Sequence, residues 1–277
     1  MIVALVLLAA TYAAVVALCA FLIAYRPSYA WLWIAALVAL SFSFAARYGD
    51  GAKALLRAVG AEVGPAPADS PVRAAVERLA GLAGIAAPEV AIAETDSLNA
   101  FAVGLRRRSS TVVVTRGLIR ALTAAELEAV LAHEVSHLVN RDAAVMTAVS
   151  SPRTLGEVVV SGAGEGFGLL WLIGWPLGLF PYVVGTGLTL TVSRAREFAA
   201  DRGAAMLTGA PAALMSALQK IAGHAAEIPH DDLRAANAFC IVSTEAHRFS
   251  FLSDHPPLEK RLAALAQIQR ELGRAVG

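Results

Sequence analysis

Two long apolar runs near the amino end dominate the hydrophobic pattern of this chain. Residues 2–24 and 30–46 contain no charged side chain, and each approaches the roughly 20 residues that a helix needs to cross a hydrocarbon core of about 30 Å. The turn "YRPSY" (25–29) joins them, and aromatic and arginine side chains flank the second run. The pattern predicts a transmembrane helical hairpin over residues 1–48.

The basic residues near these runs predict an orientation. Arg26 stands alone in the connecting turn, whereas Arg47, Lys53 and Arg57 follow the second run. Because lysine and arginine accumulate on the cytoplasmic side, we expect a multi-pass protein of the cell (inner) membrane whose main body faces the cytoplasm. A cleaved signal peptide is the weaker alternative, since "MIVALV" has no basic residue and "YRPSY" has no small-residue cleavage site.

Shorter periodic segments follow a break in composition. The stretch "GAEVGPAPADSP" (60–71) marks a linker, which we place at 49–69, and Ser70 followed by Pro71 predicts the start of a helix that runs to about Leu82. Three short β-type runs come next, and the basic turn "LRRRSS" joins the last two. They predict a small antiparallel sheet with strands at 90–93, 100–104 and 111–115.

A capped helix then carries the most informative motif, "VLAHEVSHLVNRD" (130–142). Thr123 and Glu126 form a capping box that begins this helix. His133 and His137 are one turn apart and project from one face, so both imidazoles can reach one ion, while Glu134 can reach a water beside it. This is the pattern of a zinc hydrolase, although two half-buried histidines on one helix face are the alternative without function.

A third ligand is expected downstream, in "SRAREFAADRGAA" (193–205). Glu197 and Asp201 lie one helical turn apart there. Glu197 would complete a site of two histidines and one glutamate, and Asp201 would accept the spare N–H of a ligating histidine. Alone, this segment would be read as an ordinary charged helix; together with the histidine motif it predicts one Zn²⁺ per chain, although other divalent ions suit such a ligand set.

Composition limits the class of protein. Apolar residues make up 57% of the chain and charged residues only 16%, which favours a membrane protein over a soluble one. The basic residues are scattered, so a nucleic-acid surface is not expected. There is no Gly-x-x-x-x-Gly-Lys loop, so no nucleotide is expected either. The expected partners are protein or peptide substrates and the lipid bilayer.

Several stretches together resemble the HtpX-like membrane metallopeptidases, the family that includes the CAAX prenyl endopeptidases. They are "NAFAVG" (99–104), "TVVVTRGLI" (111–119), "ELEAVLAHEVSHLVNRD" (126–142), "SRAREFAAD" (193–201) and "DHPPLEKRLAAL" (254–265). The resemblance implies an α+β, mainly helical zincin-like (gluzincin) domain over 70–277. It also implies that His133, His137 and Glu197 bind zinc, and that Glu134 is the general base and later the acid.

The resemblance also implies roles outside the metal site. An edge strand at residues 99–103 would take up the substrate backbone as an added strand, and His255 would donate a hydrogen bond to the oxyanion while Arg261 braces the acidic helix. For His255, simply capping the last helix is an equal alternative. The expected substrate-binding residues are Asn99, Ala100, Phe101 and Ala102.

An apolar insertion at about 168–192 separates the two halves of the expected metal site. Both halves must lie on one side of a membrane, so the number of crossings between them must be even or zero. Pro176 and Pro181 favour a re-entrant or interfacial hairpin within this run. A second span at 143–166 is the alternative, but it contains Arg153, Glu157 and Glu165, which are costly in lipid.

The sequence therefore predicts a membrane-anchored zinc endopeptidase that hydrolyses peptide bonds of membrane or unfolded proteins in protein quality control. Two alternatives remain: a CAAX-type prenyl-protein endopeptidase, and a non-catalytic membrane scaffold with a structural zinc site. Glu134 argues against the scaffold, because a structural zinc site has no use for a base.

Overall fold

The computed structural model describes residues 63–103, 110–164, 168–225 and 255–276, together with Ala24 and Ser28. Apart from these two residues, the expected hairpin at 1–48 lies outside this part of the chain. The strands of the described residues are β1 (Val63–Pro65), β2 (Glu89–Ala93), β3 (Ala100–Val103) and β4 (Thr111–Thr115). The helices are α1 (Pro71–Leu82), α2 (Arg116–Ala121), α3 (Ala124–Val139), α4 (Asp142–Gly164), α5 (Gly168–Thr208), α6 (Pro211–Ala225) and α7 (Leu258–Val276).

The four strands form one sheet in the order β1-β2-β4-β3. The expected pair of β3 with β4 is antiparallel, but β4 lies parallel to β2, so the expectation of a wholly antiparallel sheet is wrong. The reason is burial: Val112, Val113 and Val114 are all inaccessible to solvent, and an uninterrupted apolar strand suits the centre of a sheet rather than its edge. The described sheet is therefore mixed, with β3 at one edge.

β1 replaces part of the expected linker. Residues 63–65 pair with β2, with Val63 opposite Ala93. Three residues are too few for an alternating pattern to be recognised in a sequence, so only the pairing with β2 identifies this segment as a strand.

Two of the helices that carry the core, α1 and α3, begin where the sequence predicts. Pro71 is the first residue of α1, although the Ser70 side chain makes no cap hydrogen bond. The capping box of Thr123 and Glu126 is confirmed at the start of α3. The sheet and helices α1, α2, α3, α5, α6 and α7 contribute to a common apolar cluster that includes Leu79, Leu118, Leu131, Leu214, Leu218 and Leu265.

The chain divides into two units, one of residues 1–51 and 145–192 and the other of 52–144 and 193–277. In the first unit α4 lies against α5: a Cβ on Gly156 would be only 2.4 Å from the Tyr182 backbone nitrogen, so this glycine permits the close approach. The Arg153 guanidinium lies 6.0 Å from the centre of the Tyr182 ring. The structure thus pairs residues 143–164 with the apolar run.

A hairpin within residues 168–192 is not formed, because this run continues as one helix to Thr208. A proline removes one helical hydrogen bond, yet in packed helices it often kinks the helix rather than ends it, so Pro176 and Pro181 were misleading signals. Within the described residues, no helix combines the length and apolar character that a membrane crossing requires.

Glu126 joins the start of α3 to α6. Its carboxylate accepts hydrogen bonds from Thr123, from Ser216 at 2.6 Å and from Lys220 at 2.7 Å. Burial raises the pKa of Glu126, but these donors outweigh burial and lower the pKa to about 2, from a usual 4.5. The carboxylate is therefore ionised at every pH at which the protein is expected to work.

We expect Glu126→Gln to lower the free energy of unfolding at pH 7 by about 1–3 kcal/mol. Because the folded pKa is depressed, this contribution is complete above pH 4.5 and disappears as the pH falls towards 2. Denaturation curves across that range should show the two proteins converging, and a constant difference would contradict the assignment. Glu128→Gln, in a half-exposed pair with Arg78, is the control and should change stability little.

Candidate metal centre

The two histidines of α3 are held by carboxylates on their outer ring nitrogens. Nδ1 of His133 lies 3.0 Å from Asp201 Oδ1, and Nδ1 of His137 lies 2.5 Å from Asp142 Oδ2. A proton held on each Nδ1 by its carboxylate would leave each Nε2 free to bind a metal ion. The two Nε2 atoms are 3.1 Å apart, so their lone pairs face a common point.

Glu197, on α5, brings a carboxylate to the same point. Its Oε2 lies 3.6 Å from Nε2 of His133, and its Oε1 lies 3.7 Å from Nε2 of His137. Glu197 and His133 are buried, and His137 is partly buried. Among the described residues, these three form a group whose ligand atoms all lie within 4.8 Å of one another.

The donor set fits zinc. Two ligand atoms each about 2.0 Å from a tetrahedral zinc ion are about 3.3 Å apart, close to the three separations observed. Two imidazoles and one carboxylate are also the ligands of catalytic zinc sites that leave one position open. Two lone pairs and a carboxylate would repel one another in a buried site without a cation. His133, His137 and Glu197 can thus hold a divalent ion.

Arg261, on α7, braces the acidic side of the cluster. It is 1% exposed, and its Nε and Nη2 donate to the two oxygens of Asp201 at 2.8 and 2.6 Å. Its Nη1 lies 3.3 Å from Oε2 of Glu197. A bidentate pair of this kind fixes the carboxylate plane, so Arg261 sets how Asp201 meets His133. This is the place that the resemblance implied for Arg261.

His255 also lies at the cluster. Its Nδ1 is 3.5 Å from Oε1 of Glu197, and its side chain is 18% exposed, so it is open to a ligand as well as to Glu197. The residue stands three positions before α7 begins at Leu258. The structure therefore places His255 beside the candidate ligands rather than on a remote helix end.

The pKa values reflect this concentration of charge. Burial lowers the pKa of His133, but hydrogen bonds with Asp201 and Glu197 outweigh burial and raise it to about 10. Burial raises the pKa of Glu197, while hydrogen bonds with His133 and His255 hold it well below its usual range. The cluster therefore attracts positive charge, and a metal ion would compete with a proton for the same lone pair.

Glu134 lies on the same helix, next to the first histidine. It is 4% exposed, and burial raises the pKa of its carboxyl, against the lowering influence of the two histidines. The Ala102 backbone N–H donates to this carboxylate. A carboxylate with a raised pKa in such a position can accept and return a proton near neutral pH.

The four residues expected to bind substrate lie in β3 or just before it. The Thr115 N–H donates to the Asn99 carbonyl at 3.0 Å. Because orientation alternates along an antiparallel strand, Asn99 and Phe101 direct their backbone groups to β4, whereas Ala100 and Ala102 direct theirs away from it. Only Ala100 and Ala102 thus have backbone groups at the sheet edge. The buried Asn99 side-chain oxygen has no partner among the described residues.

Two residues that the sequence reasoning missed also belong to the site. Asp142 contacts His137, as described above, and Arg196 Nε lies 3.0 Å from the other oxygen of Asp142. Asp142 is five residues after His137, which is not a spacing that brings side chains together on a continuous helix. Arg196 is adjacent to Glu197, and this proximity to a ligand was the only signal in the sequence.

The approach of α5 to α3 depends on Gly203. A Cβ at this position would lie 2.5 Å from Ser136 Oγ and 2.9 Å from Ser136 Cβ. We therefore expect Gly203→Ala to cost about 1–3 kcal/mol in unfolding free energy and to weaken metal binding, because it separates the helix of Glu197 from that of the histidines. Thermal unfolding and metal content test this. Adding Ser136→Gly should restore metal binding in part, and absence of any rescue would contradict the steric reason.

Comparison with known proteins agrees with this geometry. Residues 68–269 match the family model "Peptidase family M48". The protease HtpX homolog 2 of Methanosarcina mazei is 37% identical over 268 residues, which cover 91% of this chain and 90% of the relative. The HtpX homolog of Moorella thermoacetica is 40% identical over 257 residues, which cover 85% of this chain and 84% of the relative.

A solved structure illustrates the fold that this chain shares with known proteins. The crystal structure of S. mikatae Ste24p matches with a TM-score of 0.50 and 20% identity, over 96% of this chain and 64% of that one. This chain therefore spans less than two thirds of that protein. The family match over most of the sequence, together with the histidine and glutamate cluster, shows that the chain belongs to peptidase family M48 and is a metalloprotease.

Proposed function

We propose that this metalloprotease is a zinc endopeptidase in which His133, His137 and Glu197 hold one zinc ion and Glu134 moves the proton. The observation that carries the proposal is the convergence of three ligand atoms within 4.8 Å of one another, on the helix that also bears a buried glutamate. A structural zinc site would use a fourth protein ligand. The group found among the described residues contains three ligands, which argues against the non-catalytic scaffold.

Bound zinc would polarise the peptide carbonyl and make a water molecule acidic enough to lose its proton near neutral pH. Glu134 accepts that proton and delivers it to the leaving amine. Its raised pKa suits both halves of this task, because a base that is too weak would not take the proton and one that is too strong would not return it. Asp201 keeps the proton of His133 on Nδ1 and so leaves Nε2 available as a ligand.

His255 is proposed to donate a hydrogen bond to the oxyanion that forms during hydrolysis. It stands beside Glu197, with its side chain partly accessible, so it can reach a substrate atom next to the metal. A hydrogen-bond donor that contacts the oxygen on which charge develops in the transition state lowers the barrier more than a donor that contacts the unreacted substrate equally well. Its direct contact with the ligand group favours this role over helix capping.

The substrate is proposed to bind as an additional strand along β3. The backbone groups of Ala100 and Ala102 face away from β4, and an edge strand offers main-chain hydrogen bonds without reading side chains. Ala102 already directs its N–H towards Glu134, so an added strand would lie beside the base. Asn99, with a buried and unpartnered amide oxygen, is proposed to contact the substrate through its side chain.

The proposed cellular setting rests on the apolar runs and the basic residues near the amino end of the sequence. Apolar runs at 2–24 and 30–46, with basic residues after the second, support anchoring in the cell (inner) membrane with the peptidase unit towards the cytoplasm. We propose membrane or unfolded proteins as substrates, in quality control. Strand addition accepts many sequences but needs an extended segment, which unfolded proteins supply.

A prenyl-protein endopeptidase of the CAAX type is the second candidate. The fold likeness to S. mikatae Ste24p over 96% of this chain favours it. Parallel assays on a prenylated peptide and on an unfolded protein such as casein separate the two candidates. Cleavage of casein supports the broad endopeptidase, and cleavage of the prenylated peptide alone supports the second candidate.

Removal of the metal tests the chemistry directly. We expect a strong zinc chelator to abolish casein cleavage, because the ligand side chains cannot polarise the peptide carbonyl without a bound metal ion. We expect stoichiometric Zn²⁺ to restore the cleavage. Zinc content and cleavage rate should be measured on the same samples. Full activity in protein shown to be free of metal would contradict the proposed function.

A further inference from the structure

The contact between His137 and Asp142 depends on an unusual backbone turn. Five residues along a regular helix correspond to a rotation of about 500°, so residues at that spacing do not share a face. Here α3 ends at Val139, Arg141 adopts a left-handed conformation with φ 56°, and α4 begins at Asp142. A residue with a Cβ adopts this conformation only at a cost in free energy, so the surrounding structure must hold it there. The turn returns the Asp142 carboxylate to within 2.5 Å of Nδ1 of His137.

Asp142 is also held from its other side. Its side chain is 4% exposed, and its Oδ1 lies 3.0 Å from Nε of Arg196 while Oδ2 meets His137. A buried carboxylate that uses one oxygen for each of two partners has little freedom to rotate. Arg196 is the residue immediately before Glu197, so the ion pair links the turn after α3 to the helix that carries the candidate third ligand.

The same arrangement occurs at the other histidine. Arg261 holds Asp201, and Asp201 meets Nδ1 of His133 at 3.0 Å. Each histidine is thus oriented by an aspartate, and each aspartate by an arginine from another element. Roles for Asp201 and Arg261 were expected from the sequence, whereas those of Asp142 and Arg196 are apparent only in the tertiary structure.

We propose that Asp142 and Arg196 are positioning residues that fix the ring orientation and tautomer of His137 for metal binding. The inference rests on the proposed role of His137 as a ligand. Asp142 keeps the proton on Nδ1, so Nε2 remains free for the metal, and Arg196 keeps Asp142 turned towards the ring. The pair acts through His137 and touches neither the substrate nor the metal.

Zinc affinity of the full chain, measured by competition with a chromophoric chelator, tests the pair. We expect Asp142→Asn to raise the zinc dissociation constant about 10–100-fold and Arg196→Gln to raise it by a smaller factor. In the doubly substituted protein, Arg196→Gln should add almost nothing, because its partner is already altered. Arg196→Lys should recover part of the affinity by restoring the charge.

Cobalt substitution supplies a readout that simple destabilisation would not move. We expect Asp142→Asn to change the visible spectrum of bound Co²⁺, because the orientation of one ligand ring changes. Asp96→Asn is the matched control: Asp96 pairs with Arg120 at 3.1 Å on the exposed surface, so zinc affinity and spectrum should stay as in the unaltered chain. Circular dichroism of the metal-free proteins verifies folding, and if Asp142→Asn fails to fold, the Arg196 variants carry the test.

Two results would overturn the inference. The first is a folded Asp142→Asn variant whose zinc affinity is within twofold of that of the unaltered chain; if this variant does not fold, the same result for a folded Arg196→Gln variant counts. The second is a doubly substituted protein in which the fold-changes of the two single variants multiply in full. A failure of the proposed zinc site would give a different result from these two. In that case the unaltered chain itself would bind no zinc. If the unaltered chain binds zinc and the Asp142 variant binds it equally well, only the positioning role is lost.

Discussion

Replacing Glu134 with glutamine is expected to abolish peptide hydrolysis while leaving the bound metal in place. Glutamine has the same shape and retains an oxygen for the Ala102 N–H, but it cannot accept a proton. Loss of general acid–base catalysis lowers rates by about 10²–10⁴-fold. The cleavage rate of casein and the zinc content, measured on one preparation, test both halves of the prediction.

Glu157→Gln is a suitable control for Glu134→Gln. Glu157 is exposed on α4, so the same chemical change there should leave both cleavage and zinc unaltered. Equal cleavage by the Glu134 variant and the unaltered protein would remove Glu134 from the mechanism. Loss of zinc together with activity would instead mean that Glu134 helps to hold the metal.

Replacing Glu197 with alanine should bring the bound zinc towards zero and remove activity with it. The change deletes one of three ligand groups and leaves two imidazoles, and catalytic zinc sites are built on three protein ligands. It also removes the carboxylate that lies 3.3 Å from Arg261, which leaves more positive charge next to the site. Metal analysis after dialysis is the measurement.

Glu94→Ala is the matched control for Glu197→Ala, because Glu94 is half exposed and pairs with Arg116 on the surface. This control should retain one zinc per chain. Full retention of zinc by a folded Glu197→Ala variant would show that another residue is the third ligand. Glu197→Asp, which keeps the charge on a shorter side chain, should retain some metal, and this separates loss of a ligand from loss of fold.

Local sequence patterns predicted the helical half of the site well. The capping box at Thr123 and the placement of His133, Glu134 and His137 on one helix depend on residues within four positions of one another. Such patterns depend on the geometry of a single turn, so no knowledge of the rest of the chain is needed. Three of the four described strands were also identified, because short runs of β-favouring residues are local signals too.

The errors have a common physical origin in contacts between distant segments. The parallel pairing of β2 with β4 depends on which strand is buried at the centre, and the short β1 exists only through its partner. α5 continues through Pro176 and Pro181, although each proline removes a helical hydrogen bond. None of these features can be recognised from the residues of the segment alone.

By itself, the sequence determined that this chain carries two histidines and a glutamate on a capped helix, with a second acidic helix downstream. The tertiary structure alone decided that Glu197 lies within 3.7 Å of both imidazoles, and that Arg261 and Arg196 each hold an aspartate against one histidine. The physical reason is the separation along the sequence of the residues that must meet. A helical turn is fixed by hydrogen bonds between near neighbours, whereas a metal site needs side chains 60 residues apart to meet at ångström precision, and only close packing of the whole unit sets such distances.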